Sequence, residues 1–276
     1  MFSMTKKRLD VLLVERNLAE TREKAKRLIM AGLVYSDQMR LDKPGQKVAI
    51  DLPLTVKGNP IPYVSRGGLK LEKALSVFQI SVQDRIMIDV GSSTGGFTDC
   101  ALQNGATLVY AIDVGYNQLD WKLRQDERVV VMERTNFRYV TRDKLTKGIP
   151  NFATVDVSFI SLTLILPVLK QLLTDQSDVV ILIKPQFEAG RDQVGKKGIV
   201  RDPSVHRDVL TRIMTFAKEE GFQLNGLTYS PVTGTEGNIE FLAHLGWKQQ
   251  RDNEIHDMAY IDAIVREAHH KLGLPS

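Results

Sequence analysis

From Ile86 onward the chain alternates short apolar runs with segments of helical periodicity, and this alternation limits the possible folds more than any other feature. The predicted strands lie within "RIMIDVG", "ATLVYAIDVG", "RVVVMERTN", "FATVDVSF" and "DVVILIK". Predicted helices start at Gly96, lie within "LTLILPVLKQLL", and run from Pro203 to Glu220. This alternation predicts an α/β fold with a mostly parallel, doubly wound sheet. Ligands of such sheets bind outside the carboxyl ends of the strands.

The first strand leads into a glycine-rich loop, "IDVGSSTGGFTDC". Gly91, Gly95 and Gly96 would let the backbone approach a ligand closely at a helix N-terminus. The loop lacks the Gly-Lys-Ser/Thr of a phosphate-binding P-loop and the G-x-G-x-x-G of a dinucleotide site. Asp89, directly before the loop, would repel a pyrophosphate but can bind an α-ammonium group. The loop therefore favours a cationic amino-acid ligand, with an ordinary tight turn as the alternative.

Two later strand ends carry further candidate ligand contacts. Asp113 ends the second strand, 22 residues after Gly91, where a carboxylate commonly accepts the ribose hydroxyls of an adenosine. Asn136, after the third strand, could contact the adenine edge, although both residues are also ordinary turn formers. Together these features resemble the S-adenosylmethionine site of Rossmann-like methyltransferases. That resemblance adds contacts from Ser92, Thr94, Phe97 and Asp156.

A lysine at the end of a buried strand points to the methyl acceptor. Methyltransferases that modify exocyclic amines often carry Asn/Asp-Pro-Pro-Tyr/Phe after the fourth strand, whereas this chain has "VDVSFIS", with Asp156 and no proline pair. A hydroxyl acceptor must lose its proton as it attacks the sulfonium methyl group, and a deprotonated lysine could take that proton. Lys184, in "VVILIKPQFEAG", is placed for this role. Its alternative is a structural lysine that reaches solvent or pairs with a carboxylate.

Two more charged residues complete a pattern along the chain. Lys70 begins a predicted helix away from its apolar stripe, and Glu240 lies on the polar face of the alternating stretch "GNIEFLAHL". The order Lys70, Asp156, Lys184, Glu240 resembles the catalytic tetrad of FtsJ-like ribose 2′-O-methyltransferases. The resemblance implies that Lys184 is the general base and that Asp156 orients it. Lys70, as a like charge, would favour loss of the base's proton, and Glu240 would fix Lys70 or the incoming ribose.

The first sixty residues are the basic part of the chain, with 12 Lys and Arg against 7 Asp and Glu, in a protein of formal net charge +4. Two short helices and a small β segment are predicted, with Thr21 capping the second helix and Gly32 ending it. The polar face of that helix carries four cations, Arg22, Lys24, Lys26 and Arg27. Such a stripe suits phosphate contact, and an ordinary solvated helix face is the alternative.

The segment "TREKAKRLIMAGLVYSDQ", followed by a Lys-Pro-Gly turn, resembles the S-four type RNA-binding domain. The resemblance implies RNA, not DNA, as the partner of Arg22, Lys26 and Arg27. Arg66, in "YVSRGGLKLEKAL", is a further RNA-contact candidate. Dense prolines near residues 54–64 predict a semi-rigid linker. The expected domains are therefore an α+β RNA-binding domain at 1–60 and a methyltransferase domain at 65–276.

The whole chain resembles the TlyA (hemolysin A) family through "DVGSSTGGFTDC", "DVSFISL", "LIKPQFEAGR", "KGIVRD" and "EGNIEFL". That resemblance implies methylation of cytidine 2′-hydroxyls, with S-adenosylmethionine as cofactor and ribosomal RNA or ribosomal subunits as partners. No metal site is expected. An RNA-binding protein with an inactive methyltransferase-like domain remains an alternative.

A membrane-active protein is the other alternative, because of the hemolysin name. The sequence opposes it, since no run of 18 apolar residues and no long amphipathic arm is present. A single cysteine, Cys100, excludes an internal disulfide, and no signal peptide is evident. The cytoplasm is the expected location.

Overall fold

The structure is a computed structural model of the 276-residue chain, and it describes residues 5–30, 32–37, 39–57, 61–249 and 258–272, without the side chain of residue 235. The chain divides into two compact units, Met1–Pro62 and Tyr63–Ser276.

The first unit contains two helices, α1 (Leu9–Glu15) and α2 (Arg22–Met30). Their apolar stripes are buried in one small core, as the helical spacing predicts. The Thr21 hydroxyl accepts a hydrogen bond from the Lys24 amide at 3.1 Å, which confirms the predicted N-cap. Gly32 follows α2 with φ +71°, and the left-handed backbone there ends the helix as predicted.

Short antiparallel strands accompany these helices: β1 (Lys6–Arg8), β2 (Val34–Ser36), β3 (Met39–Arg40), β4 (Lys47–Ala49) and β5 (Thr55–Val56). β1 pairs with β4, and β2 lies between β3 and β5. The structure differs from the predicted linker at its start, because β5 pairs with Val34 and Tyr35 of β2. Proline itself is excluded from a central strand. Thr55 and Val56 lie between Pro53 and Pro60 and form an edge strand, so their own backbone groups can pair. Residues 58–60 of the predicted linker lie outside the described residues.

The second unit is built on a seven-stranded sheet with the order β11-β12-β10-β9-β6-β7-β8. Its strands are β6 (Ile86–Val90), β7 (Leu108–Ile112), β8 (Val129–Met132), β9 (Phe152–Val155), β10 (Ser177–Ile183), β11 (Phe222–Tyr229) and β12 (Phe241–Trp247). The first five strands pair in parallel, whereas β12 runs antiparallel to both β10 and β11. The mostly parallel sheet is therefore confirmed. Every residue of β10 is buried, and since successive residues face opposite sides, both faces of the sheet are covered.

The helices of this unit are α3 (Gly67–Phe78), α4 (Gly96–Gln103), α5 (Trp121–Arg124), α6 (Leu166–Leu172), α7 (Pro185–Glu188), α8 (Pro203–Glu219) and α9 (Met258–Leu272). The predicted helix in "LTLILPVLKQLL" is interrupted, because Leu162–Leu164 forms a 3-10 turn and α6 starts only at Leu166. Pro167 explains that start, since proline is tolerated in the first helical turn and disfavoured further along. Within the described residues, no helix combines the length and apolar character needed to span a bilayer.

Candidate active site

The site lies at the carboxyl ends of the adjacent strands β6 and β9. At this point the strand order reverses, because the chain adds β7 and β8 on one side of β6 and then β9 and β10 on the other. Val90 pairs with Val155 in register, so the loop after β6 lies beside Asp156. Gly91 has φ +83°, and a Cβ atom there would overlap the Asp156 carbonyl oxygen. Both the backbone angle and the close approach require glycine. The glycine loop is thereby fixed against one member of the predicted tetrad.

The loop also leaves a polar atom available to a ligand. Ser92 is buried, and its hydroxyl has no hydrogen-bond partner among the residues that the structure describes. Gly95, with φ +96°, and Gly96 start α4 directly after the loop. A buried hydroxyl without a partner is costly unless a ligand or water satisfies it. The loop therefore fits a polar ligand such as S-adenosylmethionine.

Asp89 is fully buried directly before this loop. Its two carboxylate oxygens accept hydrogen bonds of 2.7 Å from the hydroxyls of Thr98 and Thr154. Burial raises the pKa of this carboxyl to about 6, against hydrogen bonds that lower it. Both oxygens therefore already have hydrogen-bond partners in the protein. Asp89 would attract a cationic ligand through its buried negative charge.

Asp113 follows β7 and joins the glycine loop to the next turn. Its carboxylate accepts hydrogen bonds from the Ser93 amide at 2.8 Å and the Gly115 amide at 2.7 Å. These bonds occupy one acceptor direction on each oxygen, and each carboxylate oxygen can accept a second. Asp113 is only half-buried, so its outer lone pairs are accessible to ribose hydroxyls.

The other predicted cofactor residues have different surroundings. Asn136 caps the short 3-10 turn Phe137–Tyr139, accepting from the Arg138 amide at 3.2 Å, which leaves its NH₂ group for an adenine edge. Thr94 is half-buried and its carbonyl accepts from the Asp120 amide. Phe97 is 3% exposed inside α4. Its neighbours in α4 from Gly96 to Leu102 are all buried as well.

The four residues of the predicted tetrad form two short ion pairs, and a longer contact between Lys70 and Asp156 joins the two pairs. Lys184 Nζ lies 2.6 Å from Asp156 Oδ1, and Lys70 Nζ lies 2.6 Å from Glu240 Oε2. Lys70 Nζ is also 3.7 Å from Asp156 Oδ2. The structure therefore brings all four together, although Lys70 and Glu240 are 170 positions apart in the chain. Their side chains are 3–19% exposed, so solvent screens these charges weakly.

The sheet register explains this convergence. Ile183 of β10 is paired with Phe241 of β12 in antiparallel register. Lys184 therefore leaves β10 at the edge where Glu240 enters β12. Asp156 follows the adjacent parallel strand β9 at the same edge, and α3 supplies Lys70 from its first turn. Four different elements thus direct charged side chains to one place.

Sequence reasoning missed three polar or aromatic side chains near Lys184. Ser158 Oγ accepts a hydrogen bond of 2.9 Å from Lys184 Nζ. Gln186 Nε2 lies 3.5 Å from Glu240, and Gln186 Oε1 is buried without a described hydrogen-bond partner. Phe159 is 90% exposed on left-handed backbone, with its ring 4.7 Å from that of Phe187. Positive φ is uncommon for a residue as bulky as phenylalanine, and the sequence alone does not reveal it.

Glu188 connects the two loops that carry Asp156 and Lys184. The carboxylate of Glu188, at the end of α7, accepts hydrogen bonds from the Ser161 hydroxyl at 2.7 Å and the Leu162 amide at 2.8 Å. Burial raises the pKa of Glu188. The Arg212 guanidinium donates to the Glu188 carbonyl oxygen. This carboxylate therefore braces the loop after β9 against the turn after β10.

The predicted RNA-contact residues are exposed or half-buried, and at least three of them are already ion-paired. Arg22 pairs with buried Asp10 at 3.0 Å, Lys24 with Glu20 at 2.9 Å, and Lys26 with Glu23 at 2.6 Å. Arg8 also binds Asp10, and these hydrogen bonds hold the pKa of Asp10 far below its usual range. Arg27 is exposed on α2, and Arg66 is exposed at the start of α3. The basic stripe is thus largely neutralised by its own acidic neighbours.

Among the described residues, no cluster of three or more His, Cys, Asp or Glu side chains is arranged to hold a metal ion. The parallel sheet with one reversed strand, the glycine loop after β6 and the carboxylate after β7 define a Rossmann-like S-adenosylmethionine-dependent methyltransferase. Asp156 and Lys184 lie at the same edge of the sheet as that loop.

The chain belongs to the FtsJ-like methyltransferase family, which it matches over residues 63–247, and residues 7–51 match the S4 domain. YqxC of Bacillus subtilis is 69% identical over 97% of this chain and 95% of its own length. TlyA of Mycobacterium tuberculosis, a 16S/23S rRNA (cytidine-2′-O)-methyltransferase, is 42% identical over 94% of this chain and 96% of its own. A solved structure from Streptococcus thermophilus that carries the hemolysin name is 55% identical, with a TM-score of 0.77 and 98% of each chain covered. The family resemblance is therefore confirmed.

Proposed function

We propose that this chain transfers a methyl group from S-adenosylmethionine to the 2′-hydroxyl of cytidine in ribosomal RNA. The ion pair between Lys184 and Asp156, 2.6 Å apart beside the glycine loop, is the observation that carries this proposal. The relative TlyA supports the substrate, because its name specifies cytidine 2′-O-methylation in 16S and 23S rRNA. We infer a cytoplasmic location from ribosomal RNA as the substrate.

Lys184 serves as the general base in this reaction. Bound S-adenosylmethionine supplies an electrophilic methyl group whose transfer leaves a neutral thioether. The 2′-oxygen forms the new bond to that methyl carbon, and its proton passes to a neutral Lys184 Nζ. The hydrogen bond to Ser158 and the contact with Asp156 fix the position of the amine. The protonated lysine then remains paired with Asp156 until it releases its proton to water.

Lys70 and Glu240 control the charge and the space around that amine. The Lys70 ammonium lies 3.7 Å from the same carboxylate and so competes with Lys184 for its negative charge. Glu240 holds Lys70 at 2.6 Å, and the unpartnered oxygen of Gln186 offers an acceptor to a ribose hydroxyl. The exposed ring of Phe159 provides a surface on which a nucleobase can stack.

The residues around the glycine loop would hold the methyl donor. Ser92 supplies a hydroxyl, Asp113 supplies lone pairs for the ribose, and the buried charge of Asp89 attracts the α-ammonium group. Residues 65–276 form the methyltransferase domain in this proposal, and residues 1–60 form an RNA-binding domain that uses Arg22, Lys24, Lys26 and Arg27. Arg66 would contact RNA from the start of α3.

The proposal is tested with labelled S-adenosylmethionine and ribosomal subunits from a strain that lacks this protein. Transfer to one or both subunits, with 2′-O-methylcytidine recovered after digestion, is the expected result. Binding of S-adenosylmethionine in calorimetry without transfer to any ribosomal substrate would favour the inactive RNA-binding alternative. A product methylated on a base nitrogen or carbon would contradict the assignment of Lys184 as a base for a hydroxyl.

A further inference from the structure

A cationic loop lies in the chain shortly after the turn that carries Lys184. A cleft of about 450 Å³ opens at this loop, and its lining includes Lys196, Lys197 and Arg201. All three residues are exposed. Within the part of the chain that the structure describes, none of them has a hydrogen bond or ion pair to another side chain. Their charges are therefore available to an external anion.

The acidic residue in the same lining does not neutralise them. The Asp202 carboxylate accepts hydrogen bonds of 2.8 Å and 2.7 Å from the amide and hydroxyl of Ser204, and so caps the N-terminus of α8. Those bonds hold the carboxylate at the helix, where the backbone amides favour a negative charge. The cleft keeps an excess of positive charge.

A buried asparagine fixes this loop relative to the tetrad. Asn238 is 2% exposed, and its side chain accepts from the Val200 amide at 3.0 Å and donates to the Gly198 carbonyl at 2.9 Å. It stands two positions before Glu240. The Gly195 amide closes the loop by donating to the Ile199 carbonyl at 3.0 Å. The three cations are thus carried on backbone that is bonded to the segment entering the active site.

We propose that Lys196, Lys197 and Arg201 form a contact surface for the phosphates of the RNA that delivers its ribose to Lys184. The inference rests on the proposed function and adds this loop to the RNA contacts that the second unit makes at its active site and at Arg66. A cation without a partner displaces a counterion from the RNA when it contacts a phosphate, whereas an ion-paired cation must first lose its existing partner. The loop should therefore contribute more to RNA affinity per charge than Arg22, Lys24 and Lys26 of α2, which are paired.

The experiment measures binding of the full-length protein to ribosomal subunits from the strain lacking it, across a range of salt concentrations. The test variant carries Lys196→Ala and Lys197→Ala. The control variant carries Arg128→Ala and Lys248→Ala, which removes the same amount of charge. Arg128 precedes β8 and Lys248 follows the antiparallel β12, so both lie at the amino ends of the parallel strands, away from the active site. Arg128 and Lys248 are exposed and pair with Asp126 and Asp175. A third variant, Lys196→Arg with Lys197→Arg, keeps the charges.

The test variant should bind about tenfold more weakly at low salt, and its slope of log affinity against log salt should fall by about one to two. The control and the arginine variant should remain within about twofold of wild type, and all three should bind S-adenosylmethionine normally. Equal effects in the test and control variants would overturn the proposal, because the loss would then reflect net charge alone. An unchanged slope in the test variant would overturn it as well.

Failure of the proposed function is distinguishable from failure of this inference. If wild-type protein methylates no ribosomal substrate, the function fails, while the difference in salt slope between the test and control variants still decides the contact surface. If wild-type protein methylates RNA and the test variant retains wild-type affinity and slope, only the contact surface is wrong.

Discussion

Lys184 and Asp156 form an ion pair of 2.6 Å at the carboxyl ends of two adjacent parallel strands. The same carboxylate lies 3.7 Å from Lys70. Glu240 lies 2.6 Å from Lys70, so the two lysines and the two carboxylates balance in charge, and Asp156 is the carboxylate that lies near both ammonium groups. Lys184 also donates a hydrogen bond of 2.9 Å to the Ser158 hydroxyl, which fixes its amine beside Asp156.

Lys184→Ala should abolish methyl transfer and leave S-adenosylmethionine affinity within a few-fold, because a base acts in the transition state and not on the cofactor. Lys184→Arg should fail as well, since a guanidinium does not deprotonate at working pH. Transfer rates and calorimetry on the same preparations measure both effects. Lys170→Ala is a matched control, because Lys170 pairs with Glu220 at 2.8 Å in a different ion pair. Near-normal turnover of the Lys184→Ala protein would remove this lysine from the mechanism.

Asp113→Ala should weaken S-adenosylmethionine binding by about 1–3 kcal/mol, through lost charged hydrogen bonds to the ribose. The substitution also removes the acceptors of the Ser93 and Gly115 amides. Asp113→Asn keeps one acceptor and should therefore fall between wild type and the alanine variant. Calorimetry gives the three affinities, and Asp126→Ala, which breaks an exposed pair with Arg128, serves as the control. Unchanged affinity in both Asp113 variants would restrict this residue to holding the loop.

Asp89→Asn should change how stability depends on pH. The folded pKa of Asp89 is about 6, above its ordinary value of 3.8, so between those values the folded state holds a proton that the unfolded state has released. Wild type should therefore lose stability relative to the asparagine variant as pH rises from about 4 to about 6. Two pKa units correspond to about 3 kcal/mol. Urea unfolding of both proteins at pH 4, 5, 6 and 7 measures this difference.

The ionised Asp89 carboxylate destabilises the folded protein when no ligand is bound, and the same negative charge should favour binding of a cationic ligand. S-adenosylmethionine affinity of wild type should therefore rise as pH increases through about 6, and the Asp89→Asn variant should lose that dependence. A constant stability difference between the two proteins from pH 4 to pH 7 would show that the buried carboxyl titrates at its ordinary value.

Glu188→Ala should lower both stability and transfer rate. It leaves the buried Leu162 amide and the Ser161 hydroxyl without their acceptor, which costs about 1–3 kcal/mol. Glu188→Gln keeps an acceptor for one of them and should restore part of each loss. Urea unfolding gives the stability, and single-turnover transfer at saturating S-adenosylmethionine gives the rate. A loss of stability without a loss of rate at permissive temperature would mean that the brace does not position Lys184.

The sequence predicts those features of the fold that depend on neighbouring residues. The Thr21 cap, the glycine after α2 and the alternation of β6 to β10 with helices follow from local periodicity and backbone preference. The ion pair between Lys70 and Glu240 does not, because it depends on the antiparallel register of β12 across 170 positions. Only a family resemblance connects those residues in advance.

Other site features lie beyond both local pattern and resemblance. The Glu188 brace and the Asn238 clamp require knowledge of which loops meet at the sheet edge. The ion pair of Arg22 depends on Asp10, which lies in the preceding helix. Charge counted along the sequence treats Arg22 as available, whereas in the fold its partner is a fully buried carboxylate.

Arg22, Lys26 and Arg27 of α2 provide the last prediction, which concerns the first unit. Replacing all three by alanine should weaken binding to ribosomal subunits and flatten its salt dependence, by less than about 0.9 per charge because at least two of these cations already have acidic partners. S-adenosylmethionine affinity should not change. Arg22→Ala alone should also be examined by urea unfolding, since Asp10 would then retain Arg8 as its partner. If the triple variant keeps wild-type affinity and wild-type salt slope, α2 presents an ordinary solvated face and its assignment to RNA contact is wrong.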